Sequence, residues 1–192
     1  ILTKTQKEKF TRELTRENIQ RMTYISVFVF ILELIILLIP SKLFDYNIII
    51  IYFLISNIAL IPAIFFIRQK FDKISIYWAY IVQYTYMVSV MYLGVALALA
   101  SQNQADFVHM YLMAVIGVAS FIMLNHGART GIIVVGQAVF AGLLPLYQAD
   151  TSILFVLIAN TLFFNIIAWF ISYMRYKMEY KSFQNHLQLE NM

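Results

Sequence analysis

The sequence predicts an all-α membrane protein, a bundle of six transmembrane helices with both termini in the cytoplasm. Two observations predict this class. Of the 192 residues, 61% are hydrophobic and 12% are charged, whereas about a quarter of the residues of a soluble domain are charged. Six apolar runs are also long enough for α-helices to cross the hydrocarbon core of a bilayer, which takes about 20 residues.

The six predicted spans take up most of the chain. A charged helix precedes the first run and no small-residue cleavage site follows it, so we expect a retained span and not a signal peptide. The spans cover residues 22–40, 47–67, 74–100, 107–124, 131–147 and 153–173. The chain therefore divides into an N-terminal cytoplasmic helix (1–21), a transmembrane domain (22–173) and a second cytoplasmic helix (174–192).

The distribution of basic residues predicts the orientation. Of the 14 Lys and Arg residues, all except Lys42 lie in segments on one side of the six spans. Basic segments stay in the cytoplasm during insertion, so we expect a multi-pass protein of the cell membrane with both termini inside. The net charge of +4 then reflects this asymmetry and attraction to anionic lipid, and no nucleic-acid partner is expected.

The segment before the first span is predicted to be a helix outside the membrane. Glu8 precedes Arg12 by four residues, and Glu17 precedes Arg21 in the same way, which favours helical ion pairs. Its apolar side chains are too few for a strong membrane-surface helix. We expect this segment to lie near the membrane face or against the helix at the other terminus.

Polar residues inside the spans are the candidate ligand-binding residues. Polar side chains are costly in hydrocarbon and usually face the interior of a bundle. Two interpretations are open: hydrogen bonds between helices, or a ligand or proton site in a cavity. Tyrosines deep in the third span favour either core packing or a pocket for a small apolar or aromatic ligand. The candidates are Glu33, Asn57, Tyr80, Gln83, Tyr84, His109 and Asn160.

No catalytic or metal-binding residue is expected in the chain. The three histidines lack the close spacing that a metal site needs. The sequence has no cysteine, and it contains neither a phosphate-binding loop nor a nucleophile elbow.

The end of the chain carries a further periodic pattern. Apolar residues recur at steps of four and three, which is the spacing of a coiled coil. We call this set the apolar seam, and it consists of Trp169, Tyr173, Tyr176, Tyr180, Phe183 and Leu187. It predicts a coiled-coil-like linker that continues the last span as one rod, and a parallel homodimer. The alternative is an aromatic belt at the membrane surface followed by a frayed tail.

The same segment, "NIIAWFISYMRYKMEYKSFQNHLQLEN" (165–191), resembles the last span and juxtamembrane helix of membrane-bound diguanylate cyclases from low-GC bacteria. In that family a multi-span sensory region precedes a GGDEF domain that makes cyclic di-GMP from GTP. The resemblance implies that 22–173 is a sensory domain and 174–192 a signalling helix. The GGDEF motif is absent from these residues, so GTP and Mg are expected only in an output domain outside this chain.

Other functions share this organisation. Histidine kinases and membrane adenylate cyclases also place several spans before a cytoplasmic helix. A small six-helix transporter or channel is a further alternative, since Pro62, Gly94, Gly117 and Pro145 are weak helix breakers within the spans. An enzyme acting on lipid is less favoured, because no acids or histidines cluster.

Overall fold

A computed structural model describes residues 3–38, 47–100 and 108–190. Within these ranges every regular element is a helix, which confirms the all-α class. The elements are α1 (Lys4–Leu38), α2 (Asn47–Lys70), α3 (Ile76–Ala100), α4 (Val108–Phe121), α5 (His126–Leu143), a short 3-10 turn (Leu144–Leu146) and α6 (Thr151–Glu190).

All helices except α4 are long and apolar enough to cross a membrane. The chain is therefore a helical membrane protein. Helix α4 is also apolar, but its 14 residues are fewer than the roughly 20 that a span needs. Because α4 begins next to residues outside the described ranges, the predicted count of six spans stays a prediction.

Helices α1 and α6 are much longer than the others. They contain 35 and 40 residues, which at about 1.5 Å per residue gives lengths of about 52 and 60 Å. Neither helix contains a glycine or proline to interrupt it. Each therefore exceeds the hydrocarbon core, which is about 30 Å thick, and the predicted boundaries at 21/22 and 173/174 lie inside continuous helices.

Local sequence explains the ends of α5 and α6. The Asn125 side chain accepts a hydrogen bond from the Ala128 N–H at 2.9 Å and caps α5. Pro145 lies in the 3-10 turn that follows α5. Asp150 accepts hydrogen bonds from two backbone N–H groups in the first turn of α6, at 2.8 and 3.3 Å. In contrast, Pro62 lies within α2 without ending it.

The bundle packs around α3, which contacts α1, α2, α4 and α5, and α6 packs against α4 and α5. The main core contains buried aliphatic and aromatic residues of all six helices, among them Met22, Ile64, Met87, Tyr111 and Phe140. A second, smaller core lies where α1 and α6 project from the bundle, around Phe10 and Phe183.

Candidate functional site

Glu33 and Asn57 form a hydrogen-bonded pair inside the bundle. The Asn57 Nδ2 donates to Glu33 Oε1 at 2.8 Å and to Oε2 at 2.9 Å. The two side chains are 4% and 5% exposed, so the contact joins α1 to α2 away from water. Of the two open interpretations, the hydrogen bond between helices is the one that the structure shows for this pair.

Asn160 does not join these residues. It lies on an exposed face of α6, although its position inside a predicted span made it a candidate ligand-binding residue. The physical reason is that depth along a helix does not fix the rotation of a side chain about the helix axis. His109 lies in α4, but its side chain is outside the described residues, so its predicted role stays untested.

A polar network on α6 was missed by the sequence reasoning. Asn165 Nδ2 donates to Gln137 Oε1 at 2.5 Å and to the Tyr111 hydroxyl at 3.1 Å. Gln137 Nε2 donates in turn to Thr161 Oγ1 at 3.1 Å. This network joins α4, α5 and α6 within the bundle. The signal was present in the sequence, because Thr161 and Asn165 are four residues apart and share one face of the helix.

Tyr80, Gln83 and Tyr84, three of the candidate ligand-binding residues, line one small cavity. The cavity has a volume of about 50 Å³ and is also lined by Asn18 of α1 and Tyr176 of α6. Gln83 is 2% exposed, and its Oε1 has no hydrogen-bond partner among the described residues. A polar space of this size accommodates a few water molecules. It is too small for an aromatic ligand.

Arg129 is enclosed by the apolar seam. Its guanidinium carbon lies 5.3 Å from the Trp169 ring centroid, 5.5 Å from that of Tyr173 and 6.0 Å from that of Tyr176. The residue is 2% exposed. These distances are those of cation–π contacts, so one cation of α5 touches three successive seam residues of α6.

The rest of the seam packs against α1 of the same chain. The Phe10 ring lies 5.7 Å from Tyr176, 5.3 Å from Tyr180 and 5.3 Å from Phe183, measured between centroids. Leu187 also packs against this cluster. The segment before the first predicted span thus lies against the helix at the other terminus. The described contacts of the seam are thus with α1 and α5 of the same chain.

The projecting part of α1 also contacts both loops on this side of the bundle. Arg16 forms an ion pair with Asp72 in the α2–α3 connection. Asn18 Nδ2 donates to the Met123 carbonyl at 2.7 Å, and Asn18 Oδ1 accepts from the Met123 N–H at 2.9 Å. Arg21 Nη2 lies 3.4 Å from Glu179 Oε1 on α6. The start of α1 therefore connects α6 to the rest of the bundle.

Comparison of the chain with protein-family models, curated proteins and solved structures found no match. The function is therefore argued from the contacts between the helices. They converge on α6, which is joined to α5 by Arg129, to α4 and α5 by Asn165, and to α1 by Phe10.

Proposed function

We propose that the chain is a membrane-embedded sensory and signal-transmitting domain. In this proposal α6 carries a change in the bundle to a C-terminal cytoplasmic diguanylate cyclase, which synthesises cyclic di-GMP from GTP. The observation that carries the proposal is that α6 is one helix from Thr151 to Glu190. Such a rod moves its projecting half whenever its membrane half rotates or tilts.

The contacts along α6 support this role. From one end to the other they are the Asn165 network, the ring contacts of Arg129 and the packing of Phe10. Each set joins α6 to a different part of the bundle. A shift of α1, α4 or α5 would therefore also shift α6. A helix that transmits a signal requires such contacts.

The same proposal includes the number of spans and the orientation of the chain in the membrane. It comprises six spans in the cell membrane, with both termini in the cytoplasm, as the basic residues favour. Two cyclase domains have to meet in this family, so we propose a parallel homodimer. Because the seam packs within the chain, the dimer contact is assigned to the exposed face of α6 that carries Phe170, Met174 and Met178.

The mechanism requires two arrangements of α6 that a signal stabilises differently. Packed helices suit this, because close packing favours discrete arrangements over continuous deformation. In one arrangement the two projecting helices would hold the output domains in contact. In the other arrangement the projecting helices would hold the output domains apart or out of register.

A transporter is less well supported by the described helices. Pro62, Gly94 and Gly117 all lie within continuous helices, whereas transporter sites are typically built from broken ones. A histidine kinase or an adenylate cyclase as the output domain is compatible with the same α6 rod. The product formed by the full-length protein distinguishes these outputs.

Insertions after Leu189 in the full-length protein test the proposal. This position follows the contacts with α1, so they stay intact. Each inserted residue rotates the output domain by about 100°. We expect cyclic di-GMP synthesis to vary periodically over insertions of about one to seven residues, and to recover when about seven residues complete two turns and restore the original rotation. A matched control places the same residues after Gln148, before α6 begins. Synthesis that is independent of insertion length would refute transmission through a rigid α6.

A further inference from the structure

We propose that the groove between α5 and α6 binds an anionic phospholipid, with an acyl chain in the groove and the phosphate near Lys177. This deepens the proposed function, since it names a ligand class that contacts the transmitting helix. Only the signalling consequence rests on that function, whereas the lipid site stands on its own contacts.

The groove has the dimensions of one lipid chain. Its volume is about 550 Å³, and its walls include Ile133, Val134, Ala138, Leu162 and Ile166. Along α6 it extends from Ile158 to Trp169, which is a distance of about 16 Å at about 1.5 Å per residue. That is about half the thickness of the hydrocarbon core. The groove thus matches the acyl layer of a single leaflet.

Basic residues lie beyond one end of the groove. Trp169 ends it and stacks on Tyr173, with ring centroids 5.6 Å apart and an angle of 5° between the planes. Lys177 Nζ lies 6.0 Å from the centroid of the Tyr173 ring, and the lysine is exposed. An aromatic pair followed by a lysine is typical of the level of lipid headgroups.

The positive charge at this end has no acidic partner in the part of the chain that the structure describes. Among the residues that the structure describes, neither Lys177 nor Arg129 forms a salt bridge. In the described ranges Arg129 Nε and Nη1 are buried without an acceptor, and the Arg129 guanidinium lies 5.5 Å from the Tyr173 ring that Lys177 also contacts. Arg129 and Lys177 thus place two positive charges around the Tyr173 ring, which favours binding of an anion. Of the two, Lys177 is the exposed residue, so the anion is expected there.

A second groove provides a contrast. The groove between α4 and α6 has a similar volume, about 510 Å³, and ends near Ser120. Its nearby cation, Arg175, donates to the Ser120 carbonyl and so has an acceptor within the chain. Arg129 and Lys177 instead lie at Trp169 and Tyr173, beside the end of the α5–α6 groove, which is why we place the anionic lipid there.

A lipid in this position would brace α5 against α6 beside the Arg129 contacts. Its phosphate would act on the same face of α6 that Arg129 contacts. The content of anionic lipid in that leaflet would then bias the arrangement of α6, which makes the membrane itself the source of the signal.

Quenching of Trp169 by brominated lipids tests the site in the full chain. Trp78→Phe leaves Trp169 as the single tryptophan. In nanodiscs, we expect brominated phosphatidylglycerol to have an apparent affinity about fivefold higher than brominated phosphatidylcholine, the effect of one basic residue at a membrane surface. Lys177→Gln should remove this preference. The matched control Lys181→Gln should retain it.

A second pair of variants tests the groove. Ala138→Phe fills it and should reduce quenching by both lipids, whereas Ala159→Phe, on an exposed part of α6 outside the groove, should not. Equal quenching by both lipids, an equal loss of preference in Lys177→Gln and Lys181→Gln, or competition by inorganic phosphate alone would overturn the proposal. The measurement needs no output activity, so its failure is distinguishable from failure of the insertion test.

Discussion

Replacing Phe10 by alanine should release the projecting half of α6. Phe10 is 5% exposed and contacts three aromatic rings of α6. Each such ring pair contributes about 0.5–1.5 kcal/mol beyond its buried area, and Phe→Ala in a core costs about 3–5 kcal/mol. Because two helices alone form this contact, we expect the lower end, about 3 kcal/mol, which weakens docking of α1 on α6 about 150-fold.

Amide hydrogen exchange over residues 176–187 measures this release. A helical segment of this length is marginal in water without a packing partner, so exchange should accelerate by up to about 150-fold. The control is Phe28→Ala on the same helix, because Phe28 is 61% exposed and contributes little to packing within the bundle. Exchange over 176–187 that is the same in Phe10→Ala and in the unmodified protein would refute the reasoning, since α6 would then be rigid without α1.

Two further predictions concern the polar contacts inside the bundle. Asn57→Leu should destabilise the bundle by about 1–3 kcal/mol, because it leaves the Glu33 carboxyl buried without a donor. Adding Glu33→Leu should recover most of this loss in reversible unfolding in mixed micelles, and no recovery would contradict the pairing. Asn165→Leu should lower stability by about 1 kcal/mol through loss of its two hydrogen bonds. The matched change Asn160→Leu on the exposed face should be close to neutral, and equal effects of the two variants would argue against the network.

The class of the protein follows from its composition, because long apolar runs leave few alternatives to membrane helices. Individual polar contacts were harder to predict. Glu33 stood out as an acid within an apolar run, and the structure gives it a partner. Asn160 and Asn165 look equivalent in sequence, yet the first is exposed and the second is buried. The difference is a rotation about α6 that only the packing of the other helices determines.

The apolar seam also shows what periodicity in the sequence does not predict. Its periodicity indicates one face of α6, which is only partly buried: Phe183 is 8% exposed and Tyr173 is 37% exposed. Periodicity also does not identify what contacts that face. Phe10 covers one half and Arg129 the other, and both belong to the same chain. In the sequence, Arg129 counts only as one of the basic residues that predict the orientation. Its burial depends on three rings about 40 residues further along the chain.

The contact between α1 and α6 also has a consequence for biosynthesis. Arg21 and Glu179, which lie in contact, are separated by 158 residues. Since α1 is synthesised long before α6, Phe10 and Leu14 have no α6 to pack against until that helix has been made. Such distant contacts form late in folding. If synthesis stopped before α6, the apolar side chains of Phe10 and Leu14 would remain uncovered. Proteases and chaperones would then recognise the incomplete chain by these exposed residues.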